Sequence, residues 1–402
     1  MYQDDRAGPC GRRGPGGRRR LPGEEEAVLA GLSESRLRAL TLAEGKAPTA
    51  ANIRAIAEAV SAEDAAWAFT QWQLRERARA KFPTAERMLF TREALEQATP
   101  AAVARYHASR FPEGELVADL TVGIGGDLVA LAQRGSVVAF ELDEERALCA
   151  EWNTGVRVRR EDALAAQWHW NYAFCDPSRR RAGMRLVHPS EFMPNPVEVA
   201  QRMAGLRLGG IKLSPMLSEG FLQKLGDCIE FVSYHGECVE ALIWIGKQVK
   251  HGVFAVKVKE DGTSSRLNAS VPLPTRRGAC RFVFDADPAA ARSHTLGALC
   301  VECDLHPLAD SVGYLTGEQP VSSPWLRGYR VLADAPARER ALRAEARKLG
   351  ARVAEVKSRV RGTERFRWVA GIVEGARQVT AMLYPRERSV RVLLVEPLDA
   401  WR

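Results

Sequence analysis

The sequence predicts an α/β protein with a Rossmann-like sheet, preceded by a helical region and followed by α+β modules. Three observations carry this. Residues 116–120 (LVADL) form an apolar run that leads into a glycine turn, Gly123-Ile-Gly-Gly126, and a helical run at 128–133. That order, strand then turn then helix, opens a nucleotide-binding unit. Further apolar runs recur at strand–helix spacing, at 136–140, 156–159 and 172–175. Each run is followed by an acid, and the carboxyl ends of strands are where open α/β sheets bind ligands.

Taken in order, residues 1–23 are rich in Arg, Gly and Pro and read as a disordered tail, either contacting RNA or lying outside the native start. Residues 24–105 are helical in pattern, with abundant Ala, Leu, Glu and Arg. Thr99-Pro100 predicts a helix start, with Thr99 as N-cap and Pro100 at the first helical position, and the helix 101–110 feeds the first strand. The α/β domain is expected over 106–262. After its fourth strand come a helix at 196–205, a fifth strand at 210–215 (GIKLSP), a helix at 218–226 and two closing strands at 237–245 and 253–259, seven strands in all. Residues 260–265 (EDGTSS) read as a polar linker. A small module over 263–325 is expected to hold strands at 280–284 and 301–305 around a helix at 288–299. A last module over 326–402 is expected to hold a strand at 328–332, a helix at 336–349 and strands at 352–356, 367–371, 378–383 and 390–395.

The turn chooses the ligand. A dinucleotide fingerprint, G-x-G-x-x-G, would need its third glycine at position 128, which is Leu. Asp119, at the end of the first strand, would repel a pyrophosphate and attract a cation. The predicted ligand is therefore S-adenosylmethionine (SAM), which carries a sulfonium and an α-amino group. Asp119, Thr121, Gly123, Gly125, Gly126 and Asp127 form its cradle. Glu141, directly after the second strand, is placed to accept from the ribose hydroxyls, and Asp162, after the third, from the adenine amino group. Asp143 reads instead as a helix N-cap.

Asp176-Pro-Ser-Arg-Arg-Arg181 ends the fourth strand. Methyl transfer is an in-line displacement, in which a protein mainly positions donor and acceptor and stabilises charge. Asp176, or the carbonyl of Pro177, is placed to accept a hydrogen bond from a nucleophilic amine. Arg179, Arg180 and Arg181 suit phosphate. Lys212 on the fifth strand reads as a further phosphate ligand or as a snorkelling lysine. Trp168 and Trp170 are candidates to stack on a base.

Composition narrows the class. The chain has 402 residues, 46% of them hydrophobic, and a net charge of +8. Between residues 327 and 402 there are 18 Lys and Arg against 9 Asp and Glu, so the excess sits in the last module. A basic module beside a near-neutral domain points to a polyanionic partner, most simply RNA. The eight cysteines form no regular framework, which suits reduced thiols in the cytoplasm. Cys300-Val-Glu-Cys303 supplies only two of the four ligands zinc wants, so no metal is expected. No apolar run is long enough to span a membrane.

The combination of Asp119-Leu-Thr-Val-Gly-Ile-Gly-Gly-Asp127, Asp176-Pro-Ser-Arg-Arg180 and Gly210-Ile-Lys-Leu-Ser-Pro215 resembles the bacterial class I SAM-dependent methyltransferases that carry a C-terminal THUMP-like domain. Residues 85–99 and Arg327-Gly-Tyr-Arg-Val331 share the likeness, which covers the chain from about residue 80 to its end. The resemblance implies a seven-stranded class I sheet, a ferredoxin-like region before the last module, and Phe90 and Arg92 closing over SAM. Thr99-Pro-Ala-Ala-Val-Ala104 and Asp176-Pro177 are more distantly similar to the guanine-N2 methyltransferases of RNA caps, although Ser178-Arg179 stand where those enzymes have Pro-Trp. The expected function is a SAM-dependent methyltransferase acting on RNA (tRNA or rRNA), at a base nitrogen, with the basic module binding the substrate. The alternative is a SAM-binding, RNA-binding protein with little or no catalysis, a reading that the altered motif after Asp176 favours.

Overall fold

The computed structural model describes residues 31–181, 184–186, 188–226, 228–268, 271–309 and 313–398. The expected tail at 1–23 lies outside them. Ahead of the sheet stand three helices, α1 (Glu34–Ala43), α2 (Ala50–Ala57) and α3 (Ala62–Ala78), each started by a hydroxyl side chain that accepts a first-turn N–H: Ser33, Thr49 and Ser61. Their apolar faces, including Leu40, Ile56, Phe69 and Leu74, share one core. Two shorter helices follow, α4 (Arg92–Gln97) and α5 (Ala101–Ser109). The expected cap at Thr99 is corrected: Pro100 is the N-cap residue of α5 and no side chain caps it. The Thr99 hydroxyl is used elsewhere, on Asp127.

The main sheet alternates strands and helices: β1 (Val117–Asp119), α6 (Gly126–Ala132), β2 (Val137–Phe140), α7 (Glu144–Thr154), β3 (Val158–Arg159) and β4 (Tyr172–Cys175). A short ribbon, β5 (Arg180–Arg181) with β6 (Met184–Arg185), leads to α8 (Pro196–Met203), β7 (Leu208–Leu213), α9 (Glu219–Leu225), β8 (Cys228–Tyr234), β9 (Glu237–Ile245), β10 (Gly252–Val258) and β11 (Ser264–Asn268). The strand order is β11-β10-β8-β9-β7-β4-β1-β2-β3. From β3 to β7 the pairs are parallel, while β9 runs antiparallel to both β7 and β8. The expected seven strands are thus nine among the described residues. β8 went unread because Glu230 and Ser233 interrupt its apolar pattern, although every residue of it is buried. The expected linker at 260–265 is a turn running into β11, an edge strand with no fully buried residue and hence no hydrophobic signal.

The second sheet contains β12 (Phe282–Ala286), β13 (His306–Pro307), β14 (Tyr314–Gly317), β15 (Leu326–Pro336), β16 (Ala351–Ser358), β17 (Arg377–Arg386) and β18 (Ser389–Pro397), in the order β13-β14-β12-β15-β18-β17-β16. β12 pairs with β15 from Phe282↔Arg330 to Ala286↔Leu326, so strands from both sides of residue 325 share one sheet. Its helices are α10 (Pro288–Arg292), α11 (Leu296–Cys303) and α12 (Glu339–Leu349). Two expected strands are corrected. Residues 301–305 largely continue α11, which is mostly apolar and buries Leu299 and Cys300. Residues 367–371 fall in a 3-10 segment, Thr363–Gly371, that buries Val369. One apolar cluster runs from Ile211 and Phe231 in the first sheet to Phe284 in the second and Leu299 on α11.

Candidate active site

β1 lies between β2 and β4, so the chain winds outward in opposite directions on its two sides. A crevice opens at the carboxyl ends of strands at such a switch point. Here it is a cleft of about 460 Å³, floored by Thr121, Gly123, Glu141 and Asp176. Ala94, Gln97, Ala98 and Thr99 wall it from the helical region. Two anchors hold that wall. Asn153 on α7 accepts from the Leu89 N–H (2.7 Å) and donates to the carbonyls of Leu89 and Ile124, tying the helical region to the glycine turn. The Lys81 ammonium donates to the carbonyls of Leu95, Glu96 and Ala98 at 2.8–3.0 Å, closing the C-terminal end of α4.

The glycine turn needs its glycines. Gly123 and Gly125 have φ of +58° and +90°, a region L side chains rarely adopt. A Cβ on Gly125 would also stand 3.1 Å from the Thr154 methyl. Gly126 begins α6 and lies against the Thr99 backbone. Asp119 is 1% exposed beneath the turn. Its Oδ1 accepts from the Thr121 N–H at 3.2 Å, and its Oδ2 is buried with no hydrogen-bond partner among the described residues. Burial, reinforced by Asp127, raises the Asp119 carboxyl well above the ordinary range, against the Thr121 hydrogen bond. Glu141 accepts from the Gly123 N–H through Oε2 (2.9 Å), and from the Asp143 N–H and the Arg146 guanidinium through Oε1. Asp143 caps α7 as expected. Asp162 lines the cleft and accepts from the Leu164 N–H.

The opposite wall carries Asp176, Pro177, Ser178 and Arg179. The Asp176 N–H donates to Thr121 Oγ1 at 2.6 Å, which fixes the motif against the glycine turn. Its Oδ2 meets Lys212 Nζ at 2.5 Å. Lys212 also donates to Thr99 Oγ1 (3.1 Å), and Thr99 donates to Asp127 Oδ2 (2.8 Å). Asp127 Oδ1 binds His107 Nδ1 at 2.7 Å, and His107 Nε2 binds Glu240 Oε1 at 2.5 Å. Burial opposes charge on His107, but Glu240 and Asp127 outweigh it and lift the imidazole to about 10, so it is an imidazolium at neutral pH. Burial raises Asp176 and Lys212 counteracts this, while burial opposes charge on Lys212 and Asp176 more than restores it.

Most of the residues singled out in the sequence meet here. Thr121, Gly123, Gly126, Asp127, Glu141, Asp162, Asp176, Pro177, Arg179 and Lys212 line the cleft, with Asp119 and Gly125 directly beneath or behind it. Others do not. Phe90 is 1% exposed and packs on Phe82, and its main chain is held at both ends by the Gln71 amide. Arg92 is exposed at the start of α4 and lies off the cleft. From the helical region it is Ala94, Gln97, Ala98 and Thr99 that line the cleft. Asp127 faces the cleft, but both carboxylate oxygens are taken by His107 and Thr99. Lys212 turns inward to Asp176 rather than outward to a phosphate. Arg180 and Arg181 form β5; their side chains lie outside the described residues. Trp170 is buried, and Trp168 packs between it and the Arg202 guanidinium, so neither reaches the cleft. His107 and Glu240 went unread, because their partners are remote in sequence.

No protein-family model matches the chain. A curated relative, an uncharacterized SAM-dependent methyltransferase of Mycobacterium tuberculosis found in strains CDC 1551 and H37Rv, is 30% identical over 265 residues, covering 63% of this chain and 72% of the relative. The chain belongs to the SAM-dependent methyltransferases. The fold agrees: a solved structure from Porphyromonas gingivalis, provisionally named a methyltransferase, superposes with a TM-score of 0.72 at 21% identity, over 94% of this chain and 98% of that one. The methyltransferase cleft suits its co-substrate. Asp127, Glu141, Glu161, Asp162, Asp176 and Glu198 line it, an acidic surround for a cationic co-substrate.

Proposed function

We propose that the methyltransferase modifies RNA at a base nitrogen, with Asp176 as the residue that receives the acceptor amine. The observation that carries this reading is that Asp176, Pro177 and Arg179 share one wall of the cleft. Lys212 occupies Oδ2 of Asp176, while Oδ1 has no protein partner among the described residues. That oxygen is free to accept an N–H of the acceptor and aim the nitrogen lone pair at the methyl group. Arg179 is placed to take an adjacent phosphate.

SAM supplies a methyl group already activated by its sulfonium. On the donor side, the Asp119 carboxyl under the turn gives up its proton when the cationic co-substrate binds, and Gly123 and Gly126 give close backbone approach. Glu141 Oε2, with one lone pair still open, accepts from a ribose hydroxyl, and Asp162 accepts from the adenine amine. The seven described cysteines are all unpaired thiols, which supports a cytoplasmic protein.

RNA is favoured by the last module, which we propose is THUMP-like and holds the substrate. Arg361, Arg365 and Arg367 are exposed, and none has an acidic partner among the described residues. They adjoin a hollow of about 360 Å³ lined by Val356, Phe366, Ala370 and Leu383. An apolar hollow with an aromatic edge and exposed arginines, Arg365 lying over the Phe366 ring, suits an unstacked base on a phosphate backbone. We further propose the domain division 24–105, 106–262, 263–325 and 326–402, the last two working as one body because β12 pairs with β15.

The test is transfer of tritiated methyl from SAM into nucleic acid and protein from a bacterial lysate, split by RNase, DNase and protease. The proposal expects counts that RNase removes. Counts that only protease or DNase removes would overturn it.

A further inference from the structure

The Asp176 carboxylate cannot be understood alone. A hydrogen-bond acceptor for a nucleophilic nitrogen is effective when ionised, yet Asp176 stands where ionisation is opposed. It is partly buried, and the acids around it are Asp127 on α6, Glu240 on β9 and Asp119 on β1. The positive groups facing this cluster are Lys212 on β7 and the His107 imidazolium on α5, with Arg179 on the same loop as Asp176. Of these, only Lys212 contacts the carboxylate.

Lys212 is itself held. Its side chain is 13% exposed, and its second hydrogen bond goes to Thr99 Oγ1. The Thr99 hydroxyl has a single proton, and that proton goes to Asp127. Its lone pairs are therefore left facing Lys212. Asp127 is fixed in turn by His107, whose other nitrogen is fixed by Glu240. The result is an alternating chain: Glu240 carboxylate, His107 imidazolium, Asp127 carboxylate, Thr99 hydroxyl, Lys212 ammonium, Asp176 carboxylate. Every link is 3.1 Å or shorter. Two of its members, His107 and Glu240, are buried in the core and do not line the cleft. Thr99 comes from the helical region, so the wall of the cleft and the acceptor acid are joined through one hydroxyl.

We propose that Lys212 and Thr99 are positioning residues for methyl transfer: Lys212 holds the Asp176 carboxylate ionised and aimed into the cleft, and Thr99 holds Lys212. This rests on the reading that Asp176 receives the acceptor. Removing the ammonium leaves Asp176 among Asp127, Glu240 and Asp119 with no cation in contact. Its carboxyl then protonates at higher pH, and the protonated form is a weaker acceptor for the amine than the carboxylate. Arginine at position 212 keeps the charge, whereas methionine keeps the length of the stem and loses it.

The experiment uses the full chain, with bulk bacterial RNA as acceptor, and measures kcat/KM against pH for wild type, K212M, K212R and T99V, with SAM affinity from calorimetry. K212M is expected to lose at least a hundredfold in kcat and to move the acid limb up by a pH unit or more, with SAM affinity within about threefold of wild type. K212R is expected to keep the acid limb in place, and T99V to move it by a smaller amount in the same direction. A folded, SAM-binding K212M whose acid limb does not move would overturn the proposal, as would K212R failing as completely as K212M. Asp176→Ala separates the two readings: if it turns over like wild type, the assignment of Asp176 as acceptor residue is what has failed. A second readout needs no turnover. In proton–nitrogen spectra of 15N-lysine protein, the Lys212 ammonium should be protected from exchange in wild type and lose that protection in Asp176→Asn. A protected signal unchanged by Asp176→Asn, or none in wild type, would overturn the pairing.

Discussion

Asp119 and His107 are both buried titratable groups, and they are expected to answer pH in opposite ways. Burial keeps the Asp119 carboxyl above its ordinary range, and no cation touches it. A cationic ligand beside it favours the charged form, so SAM binding should release a proton and tighten as pH rises through the raised carboxyl value. Calorimetry in buffers of different ionisation heat reads that proton. Asp119→Asn should abolish the release and weaken SAM at least tenfold; a wild-type protein that takes up a proton on binding would contradict this. His107 is raised as well, its folded value, about 10, lying above the ordinary 6.5, but it bears on stability rather than on ligand binding. Its contribution to stability is complete below about pH 6.5 and is lost as pH rises toward 10. Melting temperature should therefore fall across that window in wild type, and fall less steeply in His107→Gln. That variant should also be less stable at pH 7 by about 3–5 kcal/mol, because it leaves buried carboxylates without their cation. Asp119 was legible in the sequence because it ends an apolar run before a glycine turn. His107 was not, since a histidine inside a helix says nothing about carboxylates 20 and 133 residues away.

At the scale of elements, the glycine turn and α4 make the site. The turn follows from local chemistry: positive φ at Gly123 and Gly125, with the close approach at Gly125, requires the glycines found there. Gly125→Ala should cost about 1–2 kcal/mol from the left-handed backbone alone, with the 3.1 Å approach to Thr154 adding to it. A urea denaturation midpoint unchanged by this substitution would contradict that account. The contribution of α4 was less legible. The sequence marked 85–99 as significant, yet the residues that reach the cleft are the small or polar ones, Ala94, Gln97, Ala98 and Thr99, rather than Phe90 and Arg92. Phe90 is drawn into the helical core by its apolar surface, and Arg92, in the first turn of α4, stays in solvent. Among the strands, alternating or continuous apolar runs were readable. β8, with its buried glutamate, and β11, with no buried face, were not. The Glu230 in β8 is satisfied by Tyr106, Trp244 and Arg266, partners that only the tertiary fold brings near.

At the scale of the whole molecule, the function proposed gives the cationic donor to the acidic cleft and a polyanionic acceptor to the basic last module. The charge asymmetry was visible in composition. Its use was not, because several arginines are consumed internally: Arg343 and Arg347 by Glu374, Arg391 by Asp334, and Arg359 by Asp285. Those left over around Phe366 form the surface predicted to meet RNA. Replacing Arg361, Arg365 and Arg367 together by Ala should weaken RNA binding and reduce its salt slope by about 2–3, with SAM affinity unchanged, as read by filter binding across a salt series. An unchanged slope would move the RNA surface elsewhere. The account as a whole stands on Asp176 receiving the acceptor in a cleft that binds SAM independently of it. The most direct test is tritiated methyl transfer to RNA by Asp176→Ala at saturating SAM, beside wild type, with SAM binding measured on the same samples. Loss of transfer with SAM binding intact is the predicted result; transfer at the wild-type rate would contradict the account.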